Sequence, residues 1–177
     1  MKHRKLIVAI SGSLRRESIN TAVLRAVAAN APNDVRVELL NISELPFFNE
    51  DLQVNPPAAV VRLRERVQHA AGLLLSSPEY NHGCSAALKN ALDWLSYPYG
   101  RSPLRGKKVL TMTSSTAFTG GVRSHAQINS ALDAVGAARV AHPQIVIPNA
   151  HTKMRDGEFK DRRTLDFILE GLAQITW

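Results

Sequence analysis

Three observations predict an α/β fold built on a parallel sheet. Five short apolar or alternating runs take turns along the chain with five amphipathic stretches, the order of a sheet covered by helices on both faces. The first and third runs, residues 6–10 and 72–76, are the most apolar, as strands buried on both faces are. The second run carries Arg36 and Glu38, and the fifth contains Pro143, both marks of a sheet edge. The result is a three-layer sandwich around a five-stranded parallel sheet of order 2-1-3-4-5, and not a six-stranded doubly wound sheet.

Each element has its own signal. Residues 6–10 run straight into Ser-Gly-Ser, a buried strand meeting a loop. Over residues 20–30, Val23, Ala26 and Val27 fall at helical spacing. Val35, Val37 and Leu39 alternate with Arg36 and Glu38, the period of a half-wet strand. Val60, Leu63 and Val67 repeat helically after Pro56 and Pro57, where proline suits a helix start. Residues 72–76 end at Ser77-Pro78, and Leu88, Ala91, Leu92 and Leu95 then give a clear helical face. Residues 108–113 are strand-like. Ile128, Leu132 and Val135 form a helical stripe closed by Gly136. Residues 139–147 make the fifth strand, and Leu165, Ile168, Leu169 and Leu172 the closing helix. The predicted order is the flavodoxin-like one, whose ligands lie beyond the carboxyl ends of strands one and three.

Composition narrows the class. The chain has 177 residues, 45% hydrophobic and 21% charged, enough for one well-packed domain over residues 1–177 and too apolar for disorder. Lys and Arg number 22 against 15 Asp and Glu, a net +7, which favours anionic partners. The single cysteine, Cys84, excludes an internal disulfide framework and a cysteine-built zinc site. No apolar stretch reaches the ~18 residues of a membrane span, and the run after the basic MKHRK is too short for a signal peptide. A soluble, cytoplasmic protein is expected.

The two loops at the predicted crevice carry the chemistry. In SGSLRRESIN, Ser11, Ser13 and Ser18 supply hydroxyls, Gly12 permits a tight turn, and Asn20 suits a helix cap. A helix start already favours an anion, and Arg15 or Arg16 adds full charge, so the loop reads as a phosphate cradle or, more simply, as a polar turn. It is neither a Walker loop nor a three-glycine dinucleotide loop. The second loop, SPEYNHGC, has backbone groups that can meet the edge of a flat heterocycle, with Tyr80 and His82 placed to flank it. The simpler alternative packs Tyr80 on the core and leaves His82 exposed.

Taken together, GSLRRESIN and PEYNHG with LKNALDW strongly resemble the NADPH-dependent FMN reductase family, which includes quinone, azo and chromate reductases. The likeness extends to LPFFNED at residues 45–51 and TSSTAFTGG at residues 113–121. It implies a flavodoxin-like fold, noncovalent FMN, NADPH or NADH as electron donor, and assembly as a homodimer or homotetramer. It places Ser13, Arg15, Ser18 and Asn20 in the phosphate loop, Pro78, Glu79, Tyr80 and Asn81 along the isoalloxazine ring, and Ser115 at a further flavin contact. Some members use a tyrosine after Gly-Gly-x-Arg and an acidic residue in strand five to knit tetramers. Ala126 and Gln144 stand at those positions here.

The six histidines show no metal-ligand spacing. Cys84 is expected at a helix start, as a half-buried spectator or a stabilised thiolate. Arg101 and Arg105 suit either the NADPH phosphate or solvent, and Trp94 with the Tyr97–Tyr99 stretch suits a core or a subunit interface. The expected activity is hydride transfer from a nicotinamide to FMN and onward, by a ping-pong course, to a small acceptor such as a quinone, azo compound, flavin or chromate. No side-chain general acid is assigned. A non-catalytic flavodoxin-type electron carrier is the alternative, disfavoured by the basic charge. A specific nucleic-acid binder lacks the basic stripe and recognition helix it requires.

Overall fold

The structure, a computed structural model, describes residues 4–176. In chain order its elements are β1 (Lys5–Ser11), α1 (Ile19–Asn30), β2 (Val35–Leu40), α2 (Ala58–His69), β3 (Gly72–Ser77), a hairpin of β4 (Glu79–Tyr80) and β5 (Gly83–Cys84), α3 (Ala86–Ser96), β6 (Lys108–Ser114), α4 (Val122–Ala134), β7 (Ala138–Arg139), β8 (Ile145–Ile147), a second hairpin of β9 (Met154–Arg155) and β10 (Glu158–Phe159), and α5 (Arg162–Thr176). The sheet runs β2-β1-β3-β6-β7, all parallel, with β8 also pairing β6. This is the predicted order, with the charged strand at one edge and the proline-bearing strand at the other.

One difference concerns that last strand. The continuous run expected over residues 139–147 is split, with β7 against Lys108 and Val109, and β8 against Met112, Thr113 and Ser114. Pro143 falls in the gap and has no N–H to give the ladder. The His142 N–H donates to Val140 O at 2.9 Å, a tight local turn that carries the chain off β6.

Alternation along the strands makes two apolar layers. Ile7 and Ala9 of β1 face α1 and α5 together with Leu74, Leu110 and Met112. Val8 and Ile10 face α2, α3 and α4 together with Leu73, Leu75 and Val109. At the amino edge of the sheet, part of the basic excess is absorbed by helix carboxyl ends. The Lys107 ammonium donates to the carbonyls of Gln68 and Ala70 at the end of α2, at 3.1 and 2.6 Å. Lys5 reaches Thr176 O, and Lys108 reaches Gln174 O, at the end of α5. Cations there complement the helix dipole. The other ends of the helices, and of the strands, are left for the loops described next.

Candidate functional site

The turn after β1 is drawn down onto the start of α3. The Gly12 N–H donates to Ser76 O at 2.7 Å, and a Cβ on Gly12 would lie 2.6 Å from Ser85 Oγ and 3.0 Å from Ser77 Oγ. Only glycine permits that approach. Ser18, and not Asn20 as expected from the sequence, caps α1: its Oγ accepts the Thr21 N–H at 3.1 Å. Asn20 sits inside the first turn, 4% exposed, with its amide facing the sheet. Its Oδ1 accepts from Ser76 Oγ at 2.8 Å and its Nδ2 donates to Ser114 O at 3.4 Å, so it fastens α1 to β3 and β6 from below.

Above this floor the donors are free. Ser13 is half-buried, and its N–H meets Ser11 Oγ at 3.3 Å. Among the described residues, the N–H groups of residues 14–17 have no intrachain acceptor, and Arg15 and Arg16 are exposed without an ion pair. Such a cluster of N–H groups, hydroxyls and a guanidinium beside a helix start is a site for an anion.

The loop after β3 is a two-residue hairpin. Tyr80 pairs with Gly83, and the turn residues Asn81 and His82 have φ of 49° and 66°, the left-handed pair of a type I′ turn. Pro78 is buried, Tyr80 is 50% exposed and does not pack on the core, and Asn81 and His82 are exposed. Cys84 lies in β5 and not at a helix start; Ser85 caps α3 by accepting the Leu88 N–H at 3.2 Å. Burial pushes the Cys84 thiol up, against the pull of Lys89, so no thiolate is stabilised there.

Side chains dock this hairpin on α4. The N-cap of α4 is Gly121, with φ of 92° and no side chain to cap the helix. Glu79 fills that role from β4, its Oε2 accepting the N–H groups of Arg123 and Ser124 at 2.8 and 3.1 Å. The Ser124 hydroxyl donates to Pro78 O at 3.0 Å, and the Cys84 N–H donates to Gln127 Oε1 at 2.6 Å. No local pattern of residues signals this arrangement, because cap and helix lie more than 40 positions apart.

A third loop follows β6. The Ser115 N–H donates to Ile147 O at 3.1 Å, and Ser115 Oγ accepts the Ala117 N–H at 3.1 Å. Just before it, Thr113 Oγ1 and Ser114 Oγ are buried without partners. Leu14, Tyr80 and Phe118, each at least half exposed, place one apolar side chain on each of the three loops. A cleft of about 550 Å³ between α1, α5 and the second hairpin is lined by none of these loops.

Two expectations that stand open between alternatives are narrowed. Arg101 and Arg105 follow the far end of α3, beside the amino end of β6, where the Lys107 N–H donates to Leu104 O at 2.9 Å. Within one chain they stand at the opposite end of the sheet from the cradle. Trp94 is fully buried in its own chain, its Nε1 donating to Pro46 O at 2.8 Å and its ring 5.1 Å from that of Phe48. LPFFNED therefore packs on LKNALDW, with Asn90 Oδ1 accepting the Phe48 N–H at 2.7 Å.

The residues present fit a phosphorylated flat ligand. The cradle offers donors without acceptors, and the unpartnered hydroxyls of Thr113 and Ser114 end the strand beside it. An anion cradle after β1 and a hairpin after β3, at the switch point of the sheet, define a flavodoxin-like mononucleotide-binding fold. Sequence comparison agrees. Residues 6–152 match the model of the NADPH-dependent FMN reductase family. The chain is 32% identical over 171 residues to an NAD(P)H-dependent FMN reductase of Pseudomonas aeruginosa, covering 96% of this chain and 92% of that one. It is 34% identical over 173 residues to a quinone reductase of Escherichia coli K12, covering 95% and 92%. The solved structure of FerB, a flavoenzyme NAD(P)H:(acceptor) oxidoreductase from Paracoccus denitrificans, superposes with a TM-score of 0.85 at 30% identity over 98% of this chain and 96% of its own. The chain belongs to the NADPH-dependent FMN reductase family, and it is an oxidoreductase with FMN as cofactor and NAD(P)H as donor.

Proposed function

We propose that this chain reduces quinones and related flat acceptors with electrons from NAD(P)H. The phosphate of FMN is held by Ser13, Arg15, Ser18 and the free N–H groups of residues 14–17, with Asn20 as the strut beneath them. Pro78, Glu79, Tyr80 and Asn81 form the edge against which the ring rests, and Ser115 offers a hydroxyl from the third loop. When bound, FMN accepts a hydride and passes the electrons on. The protein binds and orients, and its exposed Tyr80 and Asn81 leave donor and acceptor to use one open face in turn, which gives ping-pong kinetics.

The observation that carries the reading is the cluster of unpartnered donors after β1, next to an exposed hairpin after β3. The names of the relatives support quinones as acceptors; azo compounds, free flavin and chromate belong to the same reading. Purified protein should show a flavin spectrum or take up added FMN, and should oxidise NADPH or NADH steadily with menadione. Colourless protein that refuses FMN overturns the proposal. Flavin binding without steady oxidation would instead favour a flavodoxin-type carrier.

A cytoplasmic setting and a homodimer complete the proposal. Among the described residues no helix is long and apolar enough to cross a membrane. Phe47, Val54 and Tyr99 are 87%, 97% and 94% exposed around the Phe48–Tyr97 ring contact, an apolar surface suited to a second copy. Ala126 and Gln144 are both exposed and supply neither a phenol nor an acid for a tetramer contact. Sedimentation at low micromolar concentration should show little monomer.

A further inference from the structure

We infer that Glu79 is a positioning residue that fixes the flavin ring's hairpin to α4, and that its carboxylate is not itself a flavin ligand. The inference rests on the proposed flavin site. Glu79 stands in the hairpin taken as the ring's edge, yet its side chain is only 10% exposed and both oxygens point to α4. Oε2 accepts the N–H groups of Arg123 and Ser124 at 2.8 and 3.1 Å, and Oε1 lies 3.6 Å from Arg123 Nη1. These are donors that α4 cannot satisfy itself, because Gly121 at its N-cap carries no side chain. A Cβ on Gly121 would lie 3.0 Å from Thr113 Cβ and 3.6 Å from Glu79 Cβ, so the cap position is closed from above by β6 and β4.

The arrangement works in both directions. α4 begins directly after the loop that carries Ser115, so its first turn locates that loop, and the same turn holds Glu79. Ser124 adds a second tether to Pro78 O at 3.0 Å. The loops that would meet the ring from β3 and from β6 are thereby set at one fixed separation. The phosphate cradle takes no part in these contacts.

Dissociation constants for FMN and for riboflavin, with visible circular dichroism of the bound flavin, test this on the full chain. Glu79→Ala should weaken both flavins by the same factor, about tenfold or more, and alter the dichroism, which reports the ring's surroundings. Glu79→Gln, whose amide oxygen still accepts an N–H, should recover much of the loss. Apo-protein melting establishes first that each variant folds. If Glu79→Ala does not, Glu79→Gln and Ser124→Ala carry the test, each with a smaller change in the same direction. Wild-type affinities and dichroism in the variants overturn the inference, and so does a loss confined to FMN. Wild-type chain that binds neither flavin overturns the flavin reading itself, a result told apart by its own titration.

Discussion

The loop after β1 and the hairpin after β3 sit at the carboxyl ends of neighbouring strands, and they are built in opposite ways. The first is held at its base, by Gly12 on Ser76 O, by Asn20 on Ser76 and Ser114 and by the Thr21 hydroxyl on Ser11 Oγ, while among the described residues the N–H groups of residues 14–17 and Arg15 stay unengaged. The second commits its polar groups to α4 through Glu79, Pro78 O and the Cys84 N–H. An anion gains most from donors that nothing else has claimed. A neutral ring gains little from any one hydrogen bond and needs its walls at a fixed spacing. The contrast supports the proposed division of a nucleotide between them, phosphate on the first loop and ring on the second.

The largest effect is expected at the free donors. Ser13→Ala combined with Arg15→Ala should weaken FMN binding by about 2–4 kcal/mol. Riboflavin, lacking the phosphate, should bind wild type and variant almost equally. Retention of full FMN affinity in a titration would make the first loop a structural turn and erase the contrast.

A smaller effect is expected at the strut. Asn20→Ala leaves the buried Ser76 hydroxyl without its acceptor and should lower apo-protein stability by about 1–3 kcal/mol in urea unfolding. FMN and riboflavin should then weaken together. A selective loss of FMN with unchanged stability would return Asn20 to the set of phosphate ligands, where the family likeness alone would put it.

The smallest effect lies beneath α4. His125 is 4% exposed, and burial holds it below its ordinary 6.5, with Arg139 acting the same way and a hydrogen bond to the Thr111 backbone opposing. Asn129 Nδ2 donates to its Nδ1 at 3.1 Å, which suits the neutral ring. Folded chain stays neutral where unfolded chain takes up a proton, so stability is full above the ordinary value and falls as pH drops through it. Between about pH 7.5 and about pH 5, His125→Gln should therefore lose less melting temperature than wild type. An equal decline in both would show that the docking of α4 is insensitive to this group.

The strand order and both crevice loops were legible because they depend on local composition. Arg36 and Glu38 mark an edge wherever they fall in a strand, and Ser-Gly-Ser after an apolar run marks a turn. What could not be read depends on partners distant in sequence. Nothing near Glu79 announces that it caps a helix starting at Val122, and Asn20 looks like a cap until Ser76 and Ser114 are placed beneath it. Ser18 has the same capping chemistry, and the register of the first turn makes it the cap. The second hairpin was missed although Asp156-Gly157, with φ of 51° and 76°, is a strong two-residue turn signal.

The broken strand at the far edge of the sheet has a consequence for how copies of this chain can meet. An intact edge strand is a row of unpaired N–H and C=O groups on which another chain can add a strand without limit. Here β7 and β8 offer only two and three residues, parted by Pro143, and the opposite edge carries Arg36 beside Glu38. The broken margin is a poor template for sheet extension, and the charges on the other oppose it. The proposed homodimer would therefore have to form through the helical faces or the apolar surface near Phe47, and not by adding strand to strand.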